Sequence, residues 1–376
     1  MSIYLDNAAT TPLMPEAAQA MRQYYSADFY NPSAAYSQSQ KIRDKIEECR
    51  SEIAELISAE PEEVFFTSGG TESDNWAINE GTRRRGHIMA SAIEHKAILS
   101  PLKEYGRKGG YFELIPVDED GFVDTDFIKR KIRYNTVMLS VMTANNEIGT
   151  IEPIETIAHI AREYDVLFHT DAVQAFGHIP INVKEMAVDM MSASSHKFNG
   201  PKGVGFLYIR KDCGVKPFIF GGGQENGMRS GTENVPGIIG MAEAAKLSCK
   251  RMKEKSIHCR KLCEYMTGRI MSEIDDVRMN GTDDFDKRLP NNMSFSFKNV
   301  DAQSLLVLLD MHGINAAAGS ACAGGGVSHV LKAIKTDKDY IGGTIRMSID
   351  DRMNIQTADY VISVLKRMVS VARNNT

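Results

Sequence analysis

Between about residues 60 and 210, short apolar runs alternate with amphipathic stretches of helical period. The runs are VFF (64–66), HIMASA (87–92), YFELIPV (111–117), TVMLSVM (136–142), VLFHTDA (166–172), MMSAS (190–194) and GVGFLYI (203–209). A strand that is apolar on both faces must be covered on both faces. Strands of that kind separated by helices predict a largely parallel sheet wrapped by helices, an α/β fold. In such sheets, functional groups collect at strand C-termini and helix N-termini. A long helical stretch then runs from Pro236 to about Ile274. After it, NMSFSFK (292–298) alternates apolar and polar residues, which predicts an antiparallel strand with one wet face. A helix (AQSLLVLLDMHG), a Gly/Ala loop, a strand (TIRMSI) and a closing helix at about 357–372 follow. These form a smaller α+β domain. We expect a large domain over 15–258 and a small one built from 1–14 and 259–376.

A chain of 376 residues has room for that division. With 43% hydrophobic and 25% charged residues it has the balance of a soluble globular protein. A formal net charge of -5 gives no electrostatic case for a nucleic-acid partner. No apolar run approaches the ~20 residues of a membrane span. The opening MSIYLDNAATTP lacks a basic stretch followed by an apolar core, so no signal peptide is expected. Six cysteines (49, 213, 249, 259, 263 and 322) include no CxxC pair and are too sparse for a disulfide scaffold. We expect a reduced, cytoplasmic protein with no structural metal, no membrane contact and no nucleic-acid partner.

The strand ends carry the chemistry. In VFFTSGGTESDNWAI, a strand leads through Thr67–Thr71 into a helix beginning near Glu72. Glycines there let a ligand approach the backbone, and first-turn amides suit an anion such as phosphate. The alternative is a helix capped by Ser68 or Thr71. Asp171 ends another strand, with Gln174 three residues on. It is either a buried carboxylate in need of a cation or the N-cap of a following helix. His95 ends a third strand and, alone, reads as structural. Asn145 and Asn146 end a fourth, where turn chemistry would account for them. Lys197, in ASSHKFNGPKG, sits in a tight link between two apolar strands and alone reads as a solvated loop charge. Together, a phosphate cradle, an imidazole, an amide, a carboxylate and a lysine terminate the strands of one expected sheet. Pyridoxal phosphate asks for this set: an amine to bond its aldehyde, a carboxylate for its ring nitrogen, a flat group to stack on the ring and a helix N-terminus for its phosphate.

The motifs YLDNAATTP, NPS (31–33), FTSGGTESDN, EHKAIL, NNEIGT, HTDAVQAFG, SSHKFNGPKG, RSGTENVPGIIG and GSACAGG resemble those of the NifS- and IscS-like cysteine desulfurases. These are fold-type I, aminotransferase class V enzymes that depend on pyridoxal phosphate. The likeness runs from residue 4 to Arg346. It implies that Lys197 bonds the cofactor, that Asp171 pairs with the ring nitrogen, and that His95 stacks on the ring and shuttles protons. Asn146 and Gln174 would approach the phenolic oxygen, with Asn146 also facing the substrate. Gly70, Thr71, Ser194 and His196 would hold the phosphate. Thr232 would reach the phosphate of a second subunit in a homodimer. Arg346 would bind the substrate carboxylate, which a guanidinium can grip through both oxygens.

Cys322, in NAAAGSACAGGGVSH, would be the nucleophile that takes sulfur from L-cysteine as a persulfide. Sulfur would then pass to an acceptor protein, an iron–sulfur scaffold or a thiolation enzyme. Without the resemblance, Cys322 reads as an incidental cysteine in a flexible loop. Three features depart from the family pattern: Tyr36 in place of a histidine after NPS, a short glycine-rich segment after Cys322, and Asp350-Asp351 in place of a glycine after RMSI. Rival readings are a selenocysteine lyase or aminotransferase on the same scaffold, and a non-catalytic sulfur-relay scaffold.

Overall fold

The structure, a computed structural model, describes residues 2–319 and 327–374. Seven strands form the central sheet: Val64–Thr67 (β1), His87–Ser91 (β2), Phe112–Ile115 (β3), Thr136–Ser140 (β4), Leu167–Asp171 (β5), Met190–Ser194 (β6) and Gly205–Ile209 (β7). Their order is β1-β7-β6-β5-β4-β2-β3. Neighbours pair parallel except at β7, which is antiparallel to both β1 and β6. The mostly parallel α/β sheet is as expected, and β7 is the strand that returns from the Lys197 link.

Side chains alternate between two cores, as the pleat requires. Leu139, Phe168, Met191 and Phe206 enter one core. Met138, Leu167, Met190 and Leu207, their chain neighbours, enter the other beside Trp76. Gly205 pairs with Thr67 on one side and Ser194 on the other. A Cβ there would lie 2.5 Å from the Ala193 carbonyl oxygen and 2.8 Å from Gly69 Cα. The missing side chain is what lets the ends of β1 and β6 converge.

Helices Ser37–Leu56 (α1), Gly70–Arg83 (α2), Lys96–Arg107 (α3) and Val235–Glu273 (α4) cover the sheet. α1 buries Ile42, Ile46, Cys49 and Ile53, spaced at three and four residues on one stripe. Each such residue contributes about 1.5–3 kcal/mol by leaving water. α4 is 39 residues long. Ile238, Met241 and Ala245 near its start pack into the first core. Cys259, Leu262, Met266 and Ile270 pack into a separate one.

That separate core holds an antiparallel sheet of Val277–Met279 (β8), Asn292–Phe297 (β9), Ala317–Ala318 (β10) and Thr344–Ser348 (β11), in the order β10-β11-β9-β8. Helix Ala302–Asp310 (α5) lies between β9 and β10 in sequence, His329–Ala333 (α6) between β10 and β11, and Ile355–Asn374 (α7) follows β11. Leu5 joins this core, because Ile3–Tyr4 pairs parallel with Ile314–Asn315. We propose the switch of cores along α4 as the domain boundary, with 15–258 in the large unit and 1–14 plus 259–376 in the small one. Among the described residues, no helix is long and apolar enough to cross a membrane.

One expectation fails here. β9 is antiparallel but has no wet face: Ser294 and Ser296 are buried at 1% and 0% exposure. Their hydroxyls are satisfied within the protein. Asn280 Nδ2 donates to Ser296 Oγ at 2.9 Å, and Ser296 and Thr344 hydroxyls lie 2.6 Å apart. A polar stripe avoids water when every group finds a partner. This stripe faces the large unit, where Asn292 Nδ2 donates to the Asn146 carbonyl at 3.4 Å.

Arg50 fixes the edge of the sheet nearest the 221–234 loop. Its guanidinium donates to both Glu225 carboxylate oxygens, at 2.7 and 2.9 Å, and to the Val64 carbonyl at 2.7 Å. Glu225 also accepts the Phe66 N–H at 2.8 Å. Both side chains are 4% exposed. Arg50→Ala leaves a buried carboxylate uncompensated and is expected to lower unfolding free energy by about 3–5 kcal/mol. Pairing Arg50→Met with Glu225→Gln should recover part of that loss. Denaturant titrations test this, and an Arg50→Ala change under about 1 kcal/mol would contradict the pairing.

Candidate active site

A cavity of about 550 Å³ opens where β1, β5 and β6 end. Every residue expected to bind cofactor lines it except Thr232. At one end lies the start of α2. Its first residue is Gly70, two before the position expected from sequence, and its N-cap is Gly69 at φ 145°, a conformation that favours glycine. No side chain caps this helix, so the reading of Ser68 or Thr71 as a plain cap does not hold. Its leading amides are left for a ligand, the arrangement that suits a phosphate. A Cβ on Gly70 would sit 2.7 Å from Val173 Cγ2. Thr71, Ser194 and His196 stand around this end. Burial, with the charges of Lys197 and Lys202, pushes His196 down to about 4. It is neutral and bonded to Thr10 Oγ1 at 3.1 Å.

Asp171 ends β5 and is 4% exposed. Its Oδ1 accepts the Val173 N–H at 2.9 Å. The next residues form turns rather than a helix, so Asp171 is not a helix cap. Burial pushes its carboxyl up, while His95 and Lys197 oppose the shift. No salt bridge reaches it among the described residues. A buried carboxylate in that state calls for a cationic N–H.

His95 caps α3, its Nδ1 accepting the Ala97 N–H at 3.2 Å. That bond places the proton of the neutral ring on Nε2. Burial, followed by the charges of Lys197 and Lys96, lowers its pKa against the pull of Asp171.

Lys197 lies in the one-turn 3₁₀ helix Ser195–Lys197. Its Nζ donates to the carbonyls of Ala8 at 2.6 Å and Ala9 at 2.9 Å. His178 Nε2 lies 3.0 Å from the Lys197 carbonyl and holds the backbone from behind. Burial and the Arg346 charge bring the amine down to about 8. The lysine is therefore not the solvated loop charge it resembles in isolation.

Gln174 Nε2 donates to the Ala8 carbonyl at 2.9 Å. Asn145 is the turn former: its Oδ1 accepts from Glu147 N and Ile148 N at 2.8 and 3.0 Å. Asn146 lines the cavity, and its side chain makes no hydrogen bond among the described residues. Arg346 stands behind that wall and does not line the cavity. It donates through Nη1 to the Asn146 carbonyl at 3.0 Å and through Nη2 to Asp6 Oδ1 at 2.7 Å. Its buried Nε has no partner among the described residues.

Thr232 lines a second pocket of about 120 Å³, which shares Ser68 and Gly203 with the main cavity. It does not itself line the main cavity. Cys322 lies outside the described residues. Burial pushes the thiols of Cys49 and Cys259 up to about 12 and that of Cys249 up to about 11, and raises Cys213 and Cys263 as well. None of these five is poised as a thiolate at neutral pH.

Sequence reasoning missed several participants. Asp74 lines the cavity beside Asp171. Its Oδ1 is buried without a hydrogen-bond partner among the described residues, and burial together with Asp171 holds its carboxyl far above the usual range. Arg229 grips Glu72, in the first turn of α2, at 2.7 and 3.1 Å. Asp6 anchors Arg346. Each joins distant parts of the chain and has no local signature.

These residues fit pyridoxal phosphate: an amine that is partly neutral near pH 8, a buried carboxylate lacking a cation and an uncapped helix N-terminus in one cavity. The amine carries a direct prediction. Since its pKa is lowered, the neutral fraction rises about tenfold per pH unit below 8 and levels above it. Peptide mapping of trinitrobenzenesulfonate labelling on cofactor-free protein should show Lys197 reaching its plateau above about pH 8. Exposed lysines should still be rising at pH 10. A Lys197 profile that matches theirs would contradict the buried environment.

The aminotransferase class-V family profile matches residues 3–361. A Dictyoglomus turgidum protein named cysteine desulfurase IscS is 44% identical over 377 residues, covering 99% of this chain and 95% of that one. A Methanosarcina thermophila protein of the same name is 41% identical over 379 residues, covering 99% and 93%. Among solved structures, a NifS-like protein superposes with a TM-score of 0.92 at 34% identity, covering 99% of this chain and 100% of the other. SspA in complex with cysteine superposes at 0.82 with 32% identity, covering 93% and 99%. With this match along almost its whole length, and with a cavity built for the family's pyridoxal phosphate, the chain belongs to the aminotransferase class-V family.

Proposed function

We propose that this chain is a homodimeric, cytoplasmic cysteine desulfurase. It converts L-cysteine to L-alanine and holds the sulfur as a persulfide on Cys322 for an iron–sulfur scaffold or a thiolation enzyme. The observation that carries the reading is Lys197, a half-buried amine brought down to about 8, in one cavity with Asp171, His95 and the open start of α2. The relatives' names and the neighbour bound to cysteine support the choice of substrate.

Pyridoxal phosphate, when bound, supplies an electron sink for the substrate's Cα. The protein supplies the rest. The α2 amides, Ser194 and His196 seat an anion. Asp171 ionises against a cation, which its burial otherwise disfavours. Arg346, held by Asp6 and the Asn146 carbonyl, positions the substrate carboxylate. Lys197 takes the Cα proton and returns it, a role suited to an amine tuned near neutral pH. His95, with its mobile proton on Nε2, moves a proton at the substrate sulfur. The Cys322 thiolate attacks that sulfur, so the Sγ–S bond forms as the Cβ–S bond breaks. The electron pair stays on carbon and, with a proton, ends in alanine.

A brief cysteine pulse followed by mass spectrometry tests the reading. One added sulfur atom is expected on the Cys322 peptide. Cys322→Ala should still bind cysteine but lose alanine release by about 10³-fold or more. Sulfur on another cysteine, or a keto acid as product, would exclude the proposal. For the dimer, light scattering should give about twice 41.7 kDa. Mixing Lys197→Ala with Thr232→Ala chains should recover activity, because one of the two mixed sites is then intact. No recovery would remove Thr232 from a shared site.

A further inference from the structure

Ser328 and His329 follow closely on the segment that carries Cys322, and both are fixed to the large unit beside cavity residues. Ser328 Oγ donates to Glu147 Oε2 at 2.6 Å. The same hydroxyl oxygen accepts the Val330 and Leu331 N–H groups at 3.0 and 3.3 Å, capping α6. His329 Nε2 donates to the Glu94 carbonyl at 2.9 Å, one residue before His95.

Glu147 is one residue after Asn146, whose side chain faces the cavity and whose carbonyl accepts from Arg346. The Asn145 side chain fixes the turn by accepting the Glu147 N–H. One turn, 145–149, therefore touches the cavity wall, the arginine at the wall and the anchor of α6. Burial pushes the Glu147 carboxyl up to about 7, while the Ser328 hydrogen bond and the charges of Arg346 and Lys96 pull it down. The desulfurase reading assigns no part to this carboxyl, and packing alone does not require it.

We infer that Glu147 is a positioning residue for sulfur transfer, holding Ser328 so that the chain bearing Cys322 leaves the large unit at a fixed point beside Asn146 and Arg346. This rests on the reading of Cys322 as the sulfur acceptor. Glu147 itself donates no proton to the substrate and contacts no reacting atom. It acts through the fixed place of Ser328, six residues after Cys322. Losing such an anchor costs reach and alignment, for which a displacement of about 1 Å is worth on the order of 100-fold in rate.

The test is a single-turnover cysteine pulse on the holoenzyme, read in two channels. One is the cofactor's absorbance change on binding cysteine. The other is persulfide on the Cys322 peptide by mass spectrometry. Glu147→Ala should keep the absorbance change, with half-saturation within about threefold of wild type. Its persulfide formation should slow by about 10- to 100-fold. Glu147→Gln retains a carbonyl for the Ser328 hydroxyl and should recover to within about threefold. Ser328→Ala should slow transfer like Glu147→Ala, and the double variant should be no slower than either single one, as expected of one shared contact. Wild-type transfer rates in Glu147→Ala would overturn the inference. So would loss of the absorbance change together with transfer, or a Glu147→Gln variant as slow as alanine. If wild type itself places no sulfur on Cys322, the desulfurase reading fails instead.

Discussion

Two carboxylates held out of water, Asp171 and Asp74, set the terms for the rest of the structure. A half-buried lysine amine and two histidines line the same cavity, where full charge is costly. Each responds in the expected direction: Lys197, His95 and His196 are pushed towards neutrality, and Asp171 and Asp74 towards the protonated form. The backbone carries the remaining cost. The carbonyls of Ala8 and Ala9 take the amine, and the amides of α2 remain open for an anion.

Much of this was legible from sequence, because the signals were local. The run MMSAS coincides residue for residue with β6, and the other six runs match their strands to within three residues at either end. Lys197, Asp171, His95 and Gly70 each sit at a strand end or helix start, and the fold brings those ends together. The illegible features are pairings across long sequence distances. Glu147 and Ser328 are 181 residues apart, Arg346 and Asp6 are 340 apart, and Arg50 and Glu225 are 175 apart. Side-chain spacing carries no trace of such contacts. The error at β9 has a similar origin: alternation was read as exposure, and the partners that make a buried polar face tolerable come from Asn280 and Thr344.

α4 passes from one core into the other without a break, spanning roughly 58 Å at ~1.5 Å per residue. The polar stripe of β9 and β11 then meets the 145–149 turn through Asn292 and Arg346. Arg346 therefore reaches its place through contacts made on folding, its guanidinium fixed by Asp6 and the Asn146 carbonyl.

The segment from Leu5 to Thr11 pairs with strands made at opposite ends of synthesis. The Ser348 N–H donates to the Leu5 carbonyl, and Asn7 Nδ2 donates to the Ser348 carbonyl at 2.8 Å. At ~5–20 residues per second, the ribosome delivers Ser348 roughly 20–70 s after Leu5. For that interval Leu5 and Asn7 lack the Ser348 partner that fixes them in the finished chain. The carbonyls that hold Lys197 lie in the same stretch, yet every residue lining the cavity falls between Ala9 and Gly203. The parts of the cofactor pocket are therefore all synthesised well before Ser348, and the contact that locks the early segment against the last strand is the final one to become available.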